Sequence, residues 1–433
     1  MKIKYLTVSL LFCPMVLWGQ NDSLTLTAVI DQVIANYPSI IKAQKNIEAA
    51  DANIGLAKTA YYPDVNITGQ YAHIGPVSEI DLSMLNLGKM QMNPADNYGI
   101  SLNVNQLIYD FGRAAKNLEL QKGSKTINEL TLENIKQQLT LAVSGTFYNI
   151  AFLQQAVKIK DEEIATLKQH LDIVNRKKES GSATDYEVLS TQVRIATIEN
   201  AKTDLQTSLA AQLSMLNSFL GNPQDLSLHL RPDFIQSQAI ASFDELCRTA
   251  YDKRYDLKIA EEKKNLSESR LALVGTQNLP SLNFFAGGGW KNGYIPELNK
   301  FTPNYQVGVG LKVPLFDQGK TKYGKLVASR EVDADMQEIE LTGRNIANEL
   351  MEAKTVTEAA LQKVARSELQ LQQAQQAYRL AEISYKSGSI TNLDLLDTFT
   401  ALSDTQLSLY KARIDYTVNF LKLKIALGEK IYE

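Results

Sequence analysis

The chain has 433 residues, with 45 Lys and Arg against 48 Asp and Glu, three His, two Cys and a mean hydropathy of −0.20. A formal charge of −3 gives no electrostatic footprint for nucleic acid, and so few histidines and cysteines supply neither a metal ligand set nor a disulfide framework. Past the N-terminus no apolar run approaches the ~18 residues of a membrane helix, but the alternating strands of a membrane β-barrel barely register in hydropathy.

Residues 1–19 read as a signal peptide: Lys2 and Lys4, an apolar run from Tyr5 to Leu17, and Gly19 before the cleavage point. Phe12 stands where a lipid-anchored Cys13 would need a small residue, so the protein is expected to be exported and not acylated. Cys247 then has no partner in an oxidising compartment and reads as a buried spectator.

In chain order the mature sequence predicts a helix over 24–60, strands over 64–73 and 99–108, a very long helix over 112–179, a tight turn, and a helix closing at Leu220-Gly221. A linker, 222–242, reads as irregular surface structure girdling the helices, and the pattern then repeats. The second copy has a helix over 243–277, strands over 281–290 and 306–315, a long helix over 319–386 and a helix closing at Leu427-Gly428. Pro63 and Pro280 lie 217 residues apart, whereas Asp110-Phe111-Gly112 and Asp317-Gln318-Gly319 lie 207 apart. One longer loop, at 75–97 in the first copy, absorbs the difference. The chain is thus divided into copies 20–221 and 243–433.

Each long helix spans roughly 100 Å at ~1.5 Å per residue. Along the second, Ile339, Gly343, Ile346, Leu350, Ala353, Thr357, Ala360 and Val364 keep the alternating three-and-four spacing of a coiled-coil seam. Gly181 and Gly388 suit the left-handed position that stops a helix. Thr184 and Thr391 follow as N-caps, with Glu187 and Asp394 placed to close capping boxes. Each copy therefore ends in a long helical hairpin.

The strands alternate Val65, Ile67 and Tyr71 against Asn66, Thr68 and Gln70, and Ile100, Leu102 and Val104 against Ser101, Asn103 and Asn105. Their ~9–11 residues and their terminal aromatics (Tyr98, Trp290, Tyr305) fit a membrane barrel. A soluble sheet packed on helices is the alternative. Four strands cannot close a barrel, and an open edge in lipid leaves backbone groups unpaired, so spanning strands require several chains to pool them.

The duplication, the four strands and the capped hairpins resemble the TolC-like outer-membrane efflux protein family. The more specific matches are Pro314-Leu315-Phe316-Asp317-Gln318-Gly319 and Leu393-Asp394-Leu395-Leu396-Asp397 after the second turn. The resemblance covers essentially the whole mature chain. It implies a mainly α fold with a β-barrel part: a homotrimer with a 12-stranded barrel in outer-membrane lipid and a periplasmic α-helical barrel. It also implies a passive exit duct for efflux or type I secretion, working with a periplasmic adaptor protein and an inner-membrane transporter.

By the same resemblance Asp394 and Asp397 fall on an acidic ring at the periplasmic entrance, Tyr385 on a latching tyrosine, and Glu187 in place of a ring-network aspartate. Ile390 stands where the family has a latching arginine. The turns, with Gly181, Ser182, Thr184, Gly388, Ser389 and Thr391, fall where the adaptor docks, within 176–186 and 385–392. The bland readings are helix caps for Thr184, Thr391 and Asp394, a solvated face for Asp397, and a dipole-neutralising helix end for Arg176-Lys177-Lys178.

No nucleophile elbow, P-loop, HExxH or Cys–His pairing occurs, and Gly287-Gly288-Gly289 is followed by no lysine-bearing helix, so no enzyme and no cofactor is expected. The runner-up is a non-conducting periplasmic helical scaffold.

Overall fold

The computed structural model describes residues 24–85 and 88–431; the expected signal peptide lies outside them. Two helices open the first copy, α1 (Leu26–Asn36) and α2 (Pro38–Lys58), where the sequence reading had one. Tyr37 is extended, at φ −70° and ψ 132°, because Pro38 can start a helix but its ring opposes continuation of the one before. The second copy divides at the equivalent Arg254 without a proline, into α5 (Phe243–Lys253) and α6 (Tyr255–Gly275). There the Arg254 guanidinium is held by Asp256 at 2.6 and 2.9 Å and by Glu349 of the facing long helix at 2.5 Å.

Strand β1 (Asp64–His73) pairs with β4 (Asp96–Tyr109), which pairs with β5 (Ser281–Lys291) and then β6 (Thr302–Lys312), all antiparallel. The sixth strand begins earlier than the sequence suggested and ends at Lys312, two residues short of Pro314, which cannot donate to a ladder. The register puts Ile67, Leu102 and Tyr305 on one face and Thr68, Ser101 and Asn304 on the other. Thr68 and Ser101 hydrogen-bond across the polar face at 2.9 Å, and Asn103 donates to Thr68 at 3.0 Å. The apolar face stays open to the surroundings: Ile67, Leu102, Val307, Val309 and Leu311 are all exposed. The long loop after β1 carries a small hairpin, β2 (Glu79–Asp81) with β3 (Lys89–Gln91).

The repeated Asp-x-Gly turns strand into helix. Asp110 accepts the amides of Gly112 and Ala114, at 3.1 and 2.7 Å, while Phe111 and Gly112 both take positive φ. Asp317 does the same for Gly319 and Thr321, at 3.0 and 2.7 Å, and also accepts Asn278 at 2.8 Å. Those bonds hold its carboxyl well below the usual carboxylate range. Each carboxylate satisfies amides that a helix start leaves orphaned. From these turns run α3 (Arg113–Glu179) and α7 (Lys320–Lys386), each 67 residues long.

These long helices fold back as α4 (Asp185–Leu220) and α8 (Asn392–Ala426). The buried positions repeat at the two sequence offsets: Val29 with Leu246, Ile40 with Leu257, Val143 with Leu350, and Leu216 with Leu423. The larger core, around Val29, Val143, Phe147, Ile150 and Leu216, also takes in Ile414 and Leu421 of α8 and so joins the copies. Segment 222–242 crosses this region without regular structure, pinned by Tyr148 to the Asp233 carbonyl at 2.7 Å and by Gln154 to the Leu228 carbonyl at 2.8 Å. Burial, then the nearby Asp233 charge, pushes the Tyr148 hydroxyl up to about 12. Cys247 is half-buried at the edge of the second copy's core. Among the described residues no helix is long and apolar enough to cross a membrane.

Candidate functional site

Both hairpin turns lie at the end of the molecule away from the sheet, and both are built from backbone chemistry. At the first, Gly181 has φ +74°, its amide reaches the Lys178 carbonyl at 2.9 Å, and the Ser182 amide reaches Lys177 at 2.7 Å. At the second, Gly388 has φ +77°, with matching bonds from Gly388 to Tyr385 and from Ser389 to Ser384 at 3.1 and 2.9 Å. This is the Schellman arrangement, which satisfies the last carbonyls of a helix and favours glycine at its left-handed residue.

The caps that follow differ between the copies. Thr391 and Asp394 form a full capping box: the threonine hydroxyl accepts the Asp394 amide, and the Asp394 carboxylate accepts the Thr391 amide at 2.9 Å. These bonds to Thr391 hold the Asp394 carboxyl below its ordinary range. Thr184 caps the Glu187 amide at 3.3 Å, but the return bond expected from the Glu187 side chain is not formed. Its charge bears instead on Tyr385, whose hydroxyl is raised by burial first and by Glu187 second. That hydroxyl is buried without a partner among the described residues.

The basic run at the end of α3 is spent internally. Lys177 sits over the Tyr385 ring at 4.2 Å, and Lys178 pairs with Asp185 across the turn. Lys177 therefore binds the first hairpin to the second.

Two further links between the hairpins come from residues that sequence reading did not single out. Asn392, the first residue of α8, is 4 % exposed. Its side chain meets His170 of α3 at 2.6 Å and donates to Thr191 of α4 at 3.2 Å. Asn392 thus faces inward, although the resemblance had put it within a partner-facing turn. The first copy has Asp185 at the equivalent position, so the only signal in the sequence was an amide where its counterpart carries a charge. Second, Arg194 of α4 forms an ion pair with Asp397 of α8. An arginine therefore reaches Asp397 from the other hairpin, while Ile390 holds the position where one was sought. Asp394 and Asp397 are both exposed and one helical turn apart. Among the described residues no group of acidic, histidine or cysteine side chains is arranged to hold a metal ion.

The outer membrane efflux protein family model matches residues 29–222 and again 246–429. The chain belongs to the outer membrane efflux protein family. The family match thus falls on the chain twice, once in each copy of the structural repeat. Outer membrane protein TolC of Vibrio cholerae is 22 % identical over 424 residues, covering 95 % of this chain and 91 % of that protein. The probable efflux pump outer membrane protein TtgC of Pseudomonas putida is 23 % identical over 418 residues, covering 94 % and 84 %. The crystal structure of the outer membrane protein VceC from Vibrio cholerae superposes with a TM-score of 0.74 at 17 % identity, over 94 % of this chain and 97 % of that one. As a member of the outer membrane efflux protein family, the chain is an outer-membrane protein with a periplasmic extension.

Proposed function

We propose that this chain is one third of a passive exit duct. Three copies pool their strands into a 12-stranded barrel, and their long hairpins continue the wall as a periplasmic helical tunnel. The observation that carries this reading is the four-stranded sheet with an exposed apolar face and its two outer strands, β1 and β6, each paired on one side only. In lipid such edges cost several kcal/mol for each unpaired backbone group, and closure with neighbouring copies removes them. The exposed apolar residues along the helices, among them Val193, Val327 and Leu341, are accounted for by the same neighbours. The copies 20–221 and 243–433, joined by 222–242, make each protomer a pair of similar staves.

Substrates come from an inner-membrane transporter through a periplasmic adaptor, which grips the turns at Gly181, Ser182, Thr184, Gly388, Ser389 and Thr391. Efflux and type I secretion both use this geometry, and the duct performs no chemistry. At the entrance Asp394 and Asp397 from three copies face one axis, with Glu187 and Tyr385 behind them. Carboxylates gathered there attract cations and disfavour anions. Arg194 moderates that field at Asp397, leaving Asp394 as its main source.

Purified full-length protein in planar bilayers tests this. Cation-preferring conductance is expected, and the preference falls in the Asp394→Ala/Asp397→Ala variant. A stable monomer obtained without detergent, with no conductance, would support the periplasmic scaffold instead. Conductance with unchanged selectivity in the double variant would remove the acidic ring alone.

A further inference from the structure

The two copies repeat their strand register as well as their fold. Asp64↔Asn105, between β1 and β4, recurs as Ser281↔Lys312, between β5 and β6, 217 and 207 residues further on, and every other pair of the first ladder maps onto the second by the same offsets. One operation therefore carries β1 and β4 onto β5 and β6. Applied once more, it turns the junction of β4 with β5 into a junction of β6 with β1 of another copy, the two edges that a single chain leaves open. Val104↔Ala286 becomes Leu311 opposite Gly69 of the next copy, and Leu102↔Gly288 becomes Val309 opposite its Tyr71.

The open edges carry the marks of that neighbour. β1 holds β4 only as far as Asn105, and residues 106–109 stay extended because β5 runs beside them. Their counterparts, 313–316, have no such support, and β6 stops at Lys312. The β4–β5 ladder breaks register between Leu107 and Tyr109, and Pro314 is the counterpart of Leu107. A residue that cannot donate to a ladder thus falls where a bulge interrupts one. The mapped pairing also keeps the faces: Val309, Leu311 and Tyr71 stay on the apolar side, while Gly310 meets Gln70 and Lys312 meets Thr68 on the polar side. A slip of one residue would turn one strand's apolar set inward.

A contact outside the sheet follows the same operation. Arg113, at the start of α3, donates to the carbonyls of Thr276, Gln277 and Leu279 beyond the end of α6, at 2.9, 3.3 and 3.2 Å. Lys320 opens α7 at the counterpart position; it is exposed and its ammonium has no partner among the described residues. Thr59, Ala60 and Tyr62, the counterparts of the three acceptors, are exposed too, whereas Thr276 under Arg113 is 5 % exposed.

We propose that copies join in one fixed register, β6 against β1 of the next copy with Leu311 opposite Gly69 and Val309 opposite Tyr71, and that Lys320 clamps the seam on the carbonyls of Thr59, Ala60 and Tyr62. The proposal rests on the duct reading and specifies its partner: a second copy of this chain, seated on the first as the second repeat is seated on the first repeat. Residues 313–316 then gain a neighbour, and β6 reaches the length of β4.

Disulfide mapping of the full-length protein in membranes, in a Cys247→Ser background, tests this. Four variants combine Val309→Cys or Leu311→Cys with Gly69→Cys or Tyr71→Cys, with copper–phenanthroline and air as oxidant. The matched pairs, Leu311 with Gly69 and Val309 with Tyr71, have Cβ atoms about 5 Å apart; the crossed pairs lie on diagonals of about 7–8 Å, too long for a disulfide. β1 and β6 lie at opposite edges of one chain's sheet, so a link between them joins different chains. Non-reducing denaturing gels should show three linked chains for both matched pairs and single chains for the crossed pairs. Should one matched variant fail to assemble, the other reads the same register. Lys320→Met should lower the temperature at which the chains separate, and an unchanged temperature overturns the clamp. A crossed pair that links in place of the matched ones, or assembled chains in which no pair links, overturns this seam while leaving the duct reading intact. Chains that stay single in detergent and never link overturn both.

Discussion

Replacing Asn392 by Ala should loosen the second hairpin from the first at the tip while leaving the rest of the bundle alone. The side chain supplies two good hydrogen bonds to the other hairpin, to His170 at 2.6 Å and to Thr191 at 3.2 Å. Neither partner is stranded by its loss. Thr191 still donates to the Glu187 carbonyl at 2.8 Å, and His170 is half-buried, so water can replace the amide there. The cost is then the net worth of the two bonds, about 2 kcal/mol in all, or roughly thirtyfold in the local opening equilibrium. Hydrogen exchange resolves this, because local openings are reported amide by amide. Amides of 395–400 should exchange about thirtyfold faster. Those of 412–421, packed in the core with Ile414 and Leu421, should not change. A change below about threefold at 395–400, or an equal acceleration along all of α8, would refute the reasoning.

Gly388→Ala should cost about 1 kcal/mol, because its φ of +77° disfavours a side chain while the space around it is open; thermal unfolding of the assembled protein measures it. Gly289→Ala should be far worse, since its Cβ would run into the Ile100 carbonyl and the Ser101 backbone; loss of heat-resistant assembly on gels reports the broken β4–β5 pairing. Asp317 and Asp394 both have lowered carboxyl values, so their contribution to stability is complete above the ordinary carboxylate range and lost as pH falls through the lowered values. Asp317→Asn should therefore flatten the fall of melting temperature with acid below about pH 4, and an unchanged slope would refute that role. Phe147→Ala, at a fully buried position, should destabilise by about 3–5 kcal/mol in denaturant titration.

Where a local rule sufficed, the fold was readable. The long helices begin within a residue of their Asp-x-Gly turns and end at the predicted glycines, because caps and left-handed residues are decided by neighbours in sequence. The break at Tyr37 was also local and was passed over, Pro38 having been absorbed into an otherwise helical pattern. Its counterpart at Arg254 rests on Glu349, 95 residues away, which no window along the chain contains.

The candidate site divides in the same way. Thr391 with Asp394 followed from spacing, whereas the Asn392 and Arg194 links join residues about 200 positions apart. Those features depend on how two hairpins pack, and neither periodicity nor composition encodes that angle and register. Spacing also suggested a return bond from Glu187, and packing gave that carboxylate to the Tyr385 surroundings instead.

The central claim is that one chain contributes four strands to a wall it cannot complete. The most direct test is the mass and shape of the detergent-extracted full-length protein, by light scattering and electron microscopy. The account predicts three chains around one axis, with a pore enclosed by twelve strands. A single chain whose four strands close among themselves would contradict it.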